Sequence, residues 1–324
     1  MTETVGNYEF LDIVDKPKAG VTYKVRNLVT GEFEVLRSLP GASYGDPESL
    51  ERLLREIRIH TRLSHPSIVA FHDALELDGH LVMTAEFVEG DTLAELCRSG
   101  PLLSSTAIRA IGEVLSGLEE AHALGIVHRG ITAEHVRITP GGEVKLGGFG
   151  LAKPISDMNL TKDGAVLGDP RYISPEQVMG VAALDGRADL YSVGVLLFQT
   201  LTGRVPFDSP NDFDIMVAQV SQQPPQPSSL NPGIAPDLDR IVLTALAKKP
   251  GDRFADAREF RIALEGLNSP VSVSPPPAQP DTVPLAAPRF LPPSEARGMP
   301  GTALMLGFLL VAIASIALVF LALH

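Results

Sequence analysis

A single cysteine, Cys97, is all that 324 residues hold. No intrachain disulfide is available, and a reducing, cytosolic-type compartment fits. Cys97 lies in LAELCRSG at helical spacing from Leu93, the pattern of a packed thiol. A basic surplus is missing as well. The net charge of −12 argues against a nucleic-acid binder, which needs cations to displace counterions. There is no zinc-type Cys/His spacing, no internal repeat and no secretory leader, since MTETVGNYEF is polar. What the chain does have is 44% apolar residues, enough to build a core for a domain of about 250 residues plus extra segments.

Composition divides the chain into a short tail at 1–7, a globular region at 8–267, and two further stretches. Residues 268–302 are crowded with prolines, among them Pro275, Pro276, Pro277, Pro292 and Pro293, with few bulky side chains. Such a stretch cannot bury enough surface to fold and reads as an extended linker. Residues 303–323, ALMLGFLLVAIASIALVFLAL, carry no charge. As a helix they span about 32 Å, against a hydrocarbon core of about 30 Å. Arg289 and Arg297 precede the stretch and only His324 follows it. The expectation is one C-terminal transmembrane helix, with the globular region cytoplasmic.

Within 8–267, the first part alternates as strands do: YEFLDIV and GVTYKVRN around a turn, then EFEVLRS after Gly31. DPESLERLLREIRIH predicts a helix with Asp46 as N-cap, Pro47 at its first position, and Leu50, Leu53, Leu54 and Ile57 on one buried face. FHDALELDGHLVMTAEF predicts a hairpin turning at Asp78-Gly79. From Ser104 the chain turns mainly helical. Ile108, Ile111, Leu115 and Leu118 mark a buried stripe, and DLYSVGVLLFQTL is apolar nearly all round, as a central helix should be. The expected fold class is α+β: a small β-rich lobe followed by a larger helical one.

Five stretches in order carry a resemblance: GIVHRGITAEHVRI, VKLGGFGLAK, GDPRYISPEQV, GRADLYSVGVLLFQTLTGRVPF and KKPGDRFADAREF. Together they resemble the Ser/Thr protein kinases of the bacterial membrane-anchored type, over residues 8–267. The resemblance implies a bilobal kinase fold. It also assigns roles, and here the chain departs from the pattern. The family's catalytic loop supplies an aspartate that orients the substrate hydroxyl, a lysine that steadies the phosphoryl group and an asparagine that holds magnesium. Those positions are Gly130, Thr132 and His135. The aspartate of the metal-binding turn is Gly148, followed by Phe149 and Gly150. The threonine that supports the loop is Asp169.

The small lobe departs in parallel. The glycine-rich positions are Asp15, Pro17 and Gly20, so a backbone donor is lost and a negative charge sits where phosphate would lie. The phosphate-binding lysine is Arg37, which retains a helix glutamate, Glu56, as partner. Thr22 and Val35 replace the residues that usually sandwich adenine.

The architectural set is intact by the same resemblance: His128 and Phe149 for an internal stack, Glu176 and Arg253 for a buried ion pair, and Asp189 to tie the central helix to the loop, with Arg129 beside it. Glu134 faces away from substrate in the family. Thr161 and Ser156 fall in the activation segment, which reads as a solvated loop; the alternative is a phosphosite at either, read by Arg129.

Loss of a general base alone costs about 10²–10⁴ in rate, and loss of both metal ligands removes the main charge stabilisation of phosphoryl transfer. No intact catalytic residue, resident cofactor or metal site is expected. Mg²⁺ lacks both protein ligands, and ATP keeps only part of its contacts. The expectation is a membrane-tethered pseudokinase that scaffolds or regulates protein partners, an active kinase or its substrate among them. An atypical active Ser/Thr kinase and an ATP sensor without transfer are the alternatives.

Overall fold

The computed structural model describes residues 3–15, 21–38, 47–151, 153–154, 168–181 and 183–267. They fall in a unit running from Met1 to Val271. Its N-terminal part is a six-stranded antiparallel sheet built from β1 (Glu3–Val5), β2 (Tyr8–Asp15), β3 (Val21–Asn27), β4 (Phe33–Ser38), β5 (Phe71–Leu77) and β6 (His80–Glu86). The strand order is β1-β2-β3-β4-β6-β5. Alternation along β4 sorts its side chains. Leu36 is buried against Tyr8, Val25 and Val82, while Val35 and Arg37 turn to the opposite face. The β5–β6 hairpin closes through Asp78 (φ 48°) and Gly79 (φ 75°), two left-handed residues whose twist matches the strands they join.

Two expectations change here. Residues 3–5, read as tail, pair with β2 and add an edge strand; three polar-leaning residues carry no periodicity that would announce it. In the helix α1 (Pro47–His60) the predicted face is rotated. Leu53 is buried, but Leu50, Leu54 and Ile57 are half-buried, and Glu56, Ile59 and His60 point inward instead. On this inward face Glu56 meets Arg37, and His60 lies one turn further along. Asp46 lies outside the described residues.

The second part opens with β7 (Asp91–Thr92) and α2 (Leu93–Arg98). Thr92 caps α2 reciprocally with Glu95: the Thr92 hydroxyl accepts from the Glu95 N–H, and the Glu95 carboxylate accepts from the Thr92 N–H. Cys97 on this helix is buried, and burial pushes its thiol up to about 11. Next come α3 (Ser104–Ala123), β8 (Ile126–Val127), β9 (Val136–Ile138), β10 (Val144–Leu146) and β11 (Lys153–Pro154). The helices α4 (Pro175–Val178), α5 (Arg187–Thr202), α6 (Asp212–Ser221), α7 (Pro236–Ala245) and α8 (Ala257–Gly266) complete the lobe. β9 pairs with β7 and β10, and β11 pairs with β8.

The stripe Ile108, Ile111, Leu115 and Leu118 on α3 is buried as expected, and α5 is buried around nearly its whole circumference. α3 and α7 pack on α5, and α8 packs on α3. This core fixes both ends of the loop between β8 and β9, where the candidate site lies. Among the described residues no helix is long and apolar enough to cross a membrane. The expected linker and membrane span lie outside the described residues.

Candidate functional site

Residues 128–135 leave β8 buried and return into β9. Their shape is set from below by Asp189 on α5, which is fully buried. Its Oδ2 accepts from the His128 N–H and its Oδ1 from the Arg129 N–H, both at 2.8 Å. His122 Nε2, at the end of α3, donates a third bond to Oδ2 at 2.8 Å. Burial alone would raise this carboxyl; the His122 hydrogen bond and the neighbouring histidines and backbone donor hold it below the ordinary aspartate range. Arg129 takes φ 66°, a left-handed backbone unusual for a side-chain-bearing residue. Two donors converging on one carboxylate hold it there. Gln177 adds a further bond from its Nε2 to the Arg129 carbonyl at 3.0 Å.

His128 is fully buried, and burial pushes its imidazole down to about 4, so it is neutral. Its tautomer follows from its partners. Nε2 meets the Gly147 carbonyl at 2.9 Å and must carry the proton, while Nδ1 accepts from the Gly130 N–H at 3.3 Å. The ring lies 4.4 Å, centroid to centroid, from Phe149. Phe149 in turn lies 5.5 Å from His60, and His60 stacks on Phe71 at 6.3 Å. A column of four rings therefore runs from the loop through α1 to β5. His60 was not anticipated. The signal was available, because it follows Glu56 by one helical turn. Burial pushes its imidazole down to about 4, helped by the nearby His128 and Arg37, and its Nδ1 has no hydrogen-bond partner among the described residues.

Beside the column, Arg37 Nη1 donates to Glu56 Oε1 at 2.6 Å. Burial raises the Glu56 carboxyl, opposed by Arg37. Gly150 is in contact with this pair: a Cβ there would lie 3.2 Å from Glu56 Oε2. Thr22 is the cross-strand neighbour of both Arg37 and Asp15. Val35 is half-buried on the same face of β4 as Arg37. Pro17 and Gly20, together with Ser156 and Thr161, lie outside the described residues.

The positions of expected chemistry come together around one imidazole. His135 Nδ1 donates to the Gly130 carbonyl at 2.7 Å, and the Gly147 N–H donates to the His135 carbonyl at 2.8 Å. Gly148, at φ 81°, lies directly under the ring. Gly130, Thr132 and Asp169 line a narrow cleft, about 10 Å³, with Arg129, Tyr172 and Ser192. Glu134 is exposed. Asp169 pairs with its own neighbour: Arg171 donates from Nε to Oδ1 at 2.9 Å and from Nη2 to Oδ2 at 2.5 Å. Elsewhere in the larger lobe, Arg253 grips Glu176 with two bonds, at 2.7 and 2.8 Å, both residues buried.

This two-lobed fold, β-rich and then helical, is matched by known proteins. Residues 8–263 match the protein kinase domain. The chain belongs to this family. It is 34% identical to the serine/threonine-protein kinase pkn3 of Myxococcus xanthus, over 81% of this chain and 50% of that protein. It is 37% identical to the serine/threonine-protein kinase PknL of Mycobacterium tuberculosis, over 69% of this chain and 56% of that protein. The chain thus spans about half the length of these relatives. Among solved structures, the Mycobacterium tuberculosis PknI kinase domain superposes with a TM-score of 0.63 at 28% identity, over 82% of this chain and 98% of that one. The bacterial Ser/Thr kinase family and its bilobal fold, β-rich then helical, are therefore established for this chain.

Proposed function

We propose that this family member is a membrane-tethered pseudokinase, a kinase-shaped module that engages protein partners without moving phosphate. The observation that carries the reading is the environment of Gly148. At the metal-binding turn the chain presents no carboxylate, and the space is taken by the His135 ring. A hard divalent cation prefers oxygen ligands, and an imidazole already bonded to a backbone carbonyl does not supply them. Gly130 offers no side chain to orient a hydroxyl, and Thr132 no charge to steady a phosphoryl group. The residues present do not fit Mg²⁺. ATP would meet an arginine, Arg37, in place of the usual lysine, and the added bulk of Val35.

The tether rests on the uncharged stretch 303–323 behind a proline-rich linker, long enough for one span, and Arg289 and Arg297 before it support a cytoplasmic side for the kinase-like domain. Partners fitting such a module are proteins at the same membrane surface, an active kinase or its substrate.

A second reading, a weakly active Ser/Thr kinase, draws on the assembled Arg37–Glu56 pair and on relatives named as kinases. A third, ATP sensing without metal, draws on Arg37 and Gly20. Titration of the full chain with ATP, with and without Mg²⁺ or Mn²⁺, followed by thermal shift and phosphotransfer, separates the three. The first expects no metal-dependent stabilisation and no transfer. Metal-dependent stabilisation with transfer would overturn it in favour of the second, and stabilisation by ATP alone supports the third.

A further inference from the structure

Gly130, His135 and Gly148 look like separate departures in the sequence, but in space they interlock. The backbone at Gly148 does not itself demand glycine, because aspartate and asparagine enter the left-handed region more readily than most residues. The ring does demand it. A Cβ at position 148 would lie 2.5 Å from Cγ, 2.6 Å from Cδ2 and 2.8 Å from Nδ1 of His135, closer than carbon atoms approach. Nor is the ring at liberty to swing aside. Its Nδ1 is bonded to the Gly130 carbonyl, and its backbone carbonyl receives the Gly147 N–H. On its other side the centroid lies 6.2 Å from His128, itself fixed by Gly147.

We propose that His135 is an internal plug. Its imidazole fills the compartment between the loop floor and Gly148 and lengthens the ring column Phe71–His60–Phe149–His128, so the two lobes assemble without nucleotide or metal. This deepens the pseudokinase reading and rests on it. It also orders the substitutions: an aspartate at 148 is excluded for as long as histidine stands at 135.

The test is a double-mutant cycle on the full chain, with thermal unfolding as readout. Gly148→Ala and Gly148→Asp should each lower Tm by several degrees in the wild-type background, and His135→Ala or His135→Asn should return most of that loss. Residues that merely sit near each other without interlocking would show additive losses, and additivity overturns the plug. Amide exchange supplies a second readout that does not depend on the Gly148 variants folding. In His135→Ala, exchange should quicken at Phe149–Leu151 and along Pro47–His60, which the column joins. Unchanged protection there overturns the role in lobe assembly. Phosphate transfer by the wild-type chain would remove the pseudokinase reading even if the coupling is found. Additivity in a chain silent for transfer removes the plug alone.

Discussion

The Glu176–Arg253 pair offers the most quantitative test of how this fold is held together. The Arg253 side chain is wholly buried and Glu176 nearly so. Besides its two bonds to Glu176, the guanidinium donates to the carbonyls of Ala247, Lys248 and Arg187. Replacing Glu176 by alanine leaves those three bonds but strands a full positive charge in the interior. Removing one partner of a buried pair costs about 3–5 kcal/mol. In a domain of this size each kcal/mol lowers Tm by about 2–4 °C, so Glu176→Ala should lose roughly 6–20 °C. Glu176→Gln keeps an acceptor for one of the two bonds and should fall between. The paired replacement Glu176→Leu with Arg253→Met removes the charge as well as its partner, and should unfold at a higher temperature than Glu176→Ala. Calorimetry on the full chain and the three variants decides it. A loss of about 1 kcal/mol or less for Glu176→Ala would refute the reasoning, because it would mean the pair behaves as a solvated surface bridge.

Three further outcomes are expected. His60 is held near pKa 4 against an ordinary 6.5, so on acidification the unfolded chain takes up its proton first; stability present above about pH 6.5 is lost as pH falls towards 4, at up to about 1.4 kcal/mol per pH unit from this residue. His60→Phe should keep the stack, remove the unpartnered Nδ1 and flatten that slope in denaturation curves taken across the window; identical slopes would contradict the assignment. Cys97, with its thiol pushed up to about 11, should resist alkylation by iodoacetamide at pH 8 until the chain unfolds, and labelling of the native protein at the rate of a free thiol would count against its packing. Deleting 268–324 should move the protein from the membrane fraction to the soluble fraction on flotation, and continued co-flotation would show that the tether lies elsewhere.

How legible each part was depended on how local its signal is. α5 announced itself because a helix buried on all sides is apolar on all sides. The β5–β6 hairpin did so because Asp-Gly fits its turn. Glu176, Arg253, Asp189 and His128 were identifiable because each sits in a motif whose neighbours fix its place. The inward face of α1 was misread because its leucines define a stripe, whereas Glu56 is buried on Arg37, a contact between a strand and a helix that no helical periodicity announces. β1 escaped because an edge strand of three residues with no buried side chain has no pattern to detect. The inward turn of His60 and the fit of His135 over Gly148 are properties of surfaces meeting in space. Asp169 was read as a support whose usual partners in the loop are gone; its bond to Arg171 two residues along carried no signal in the sequence.

Asp189 has a consequence for how such a chain can change over time. The carboxylate that shapes residues 128–135 belongs to α5, and α5 is the core of the larger lobe. Any sequence that still folds this lobe must keep that helix in place, and the helix carries the loop's mould with it. The course of the loop above α5 is therefore inherited from folding itself and is indifferent to whether the loop performs chemistry. A partner that recognises this contour would find it whether or not the loop moves phosphate.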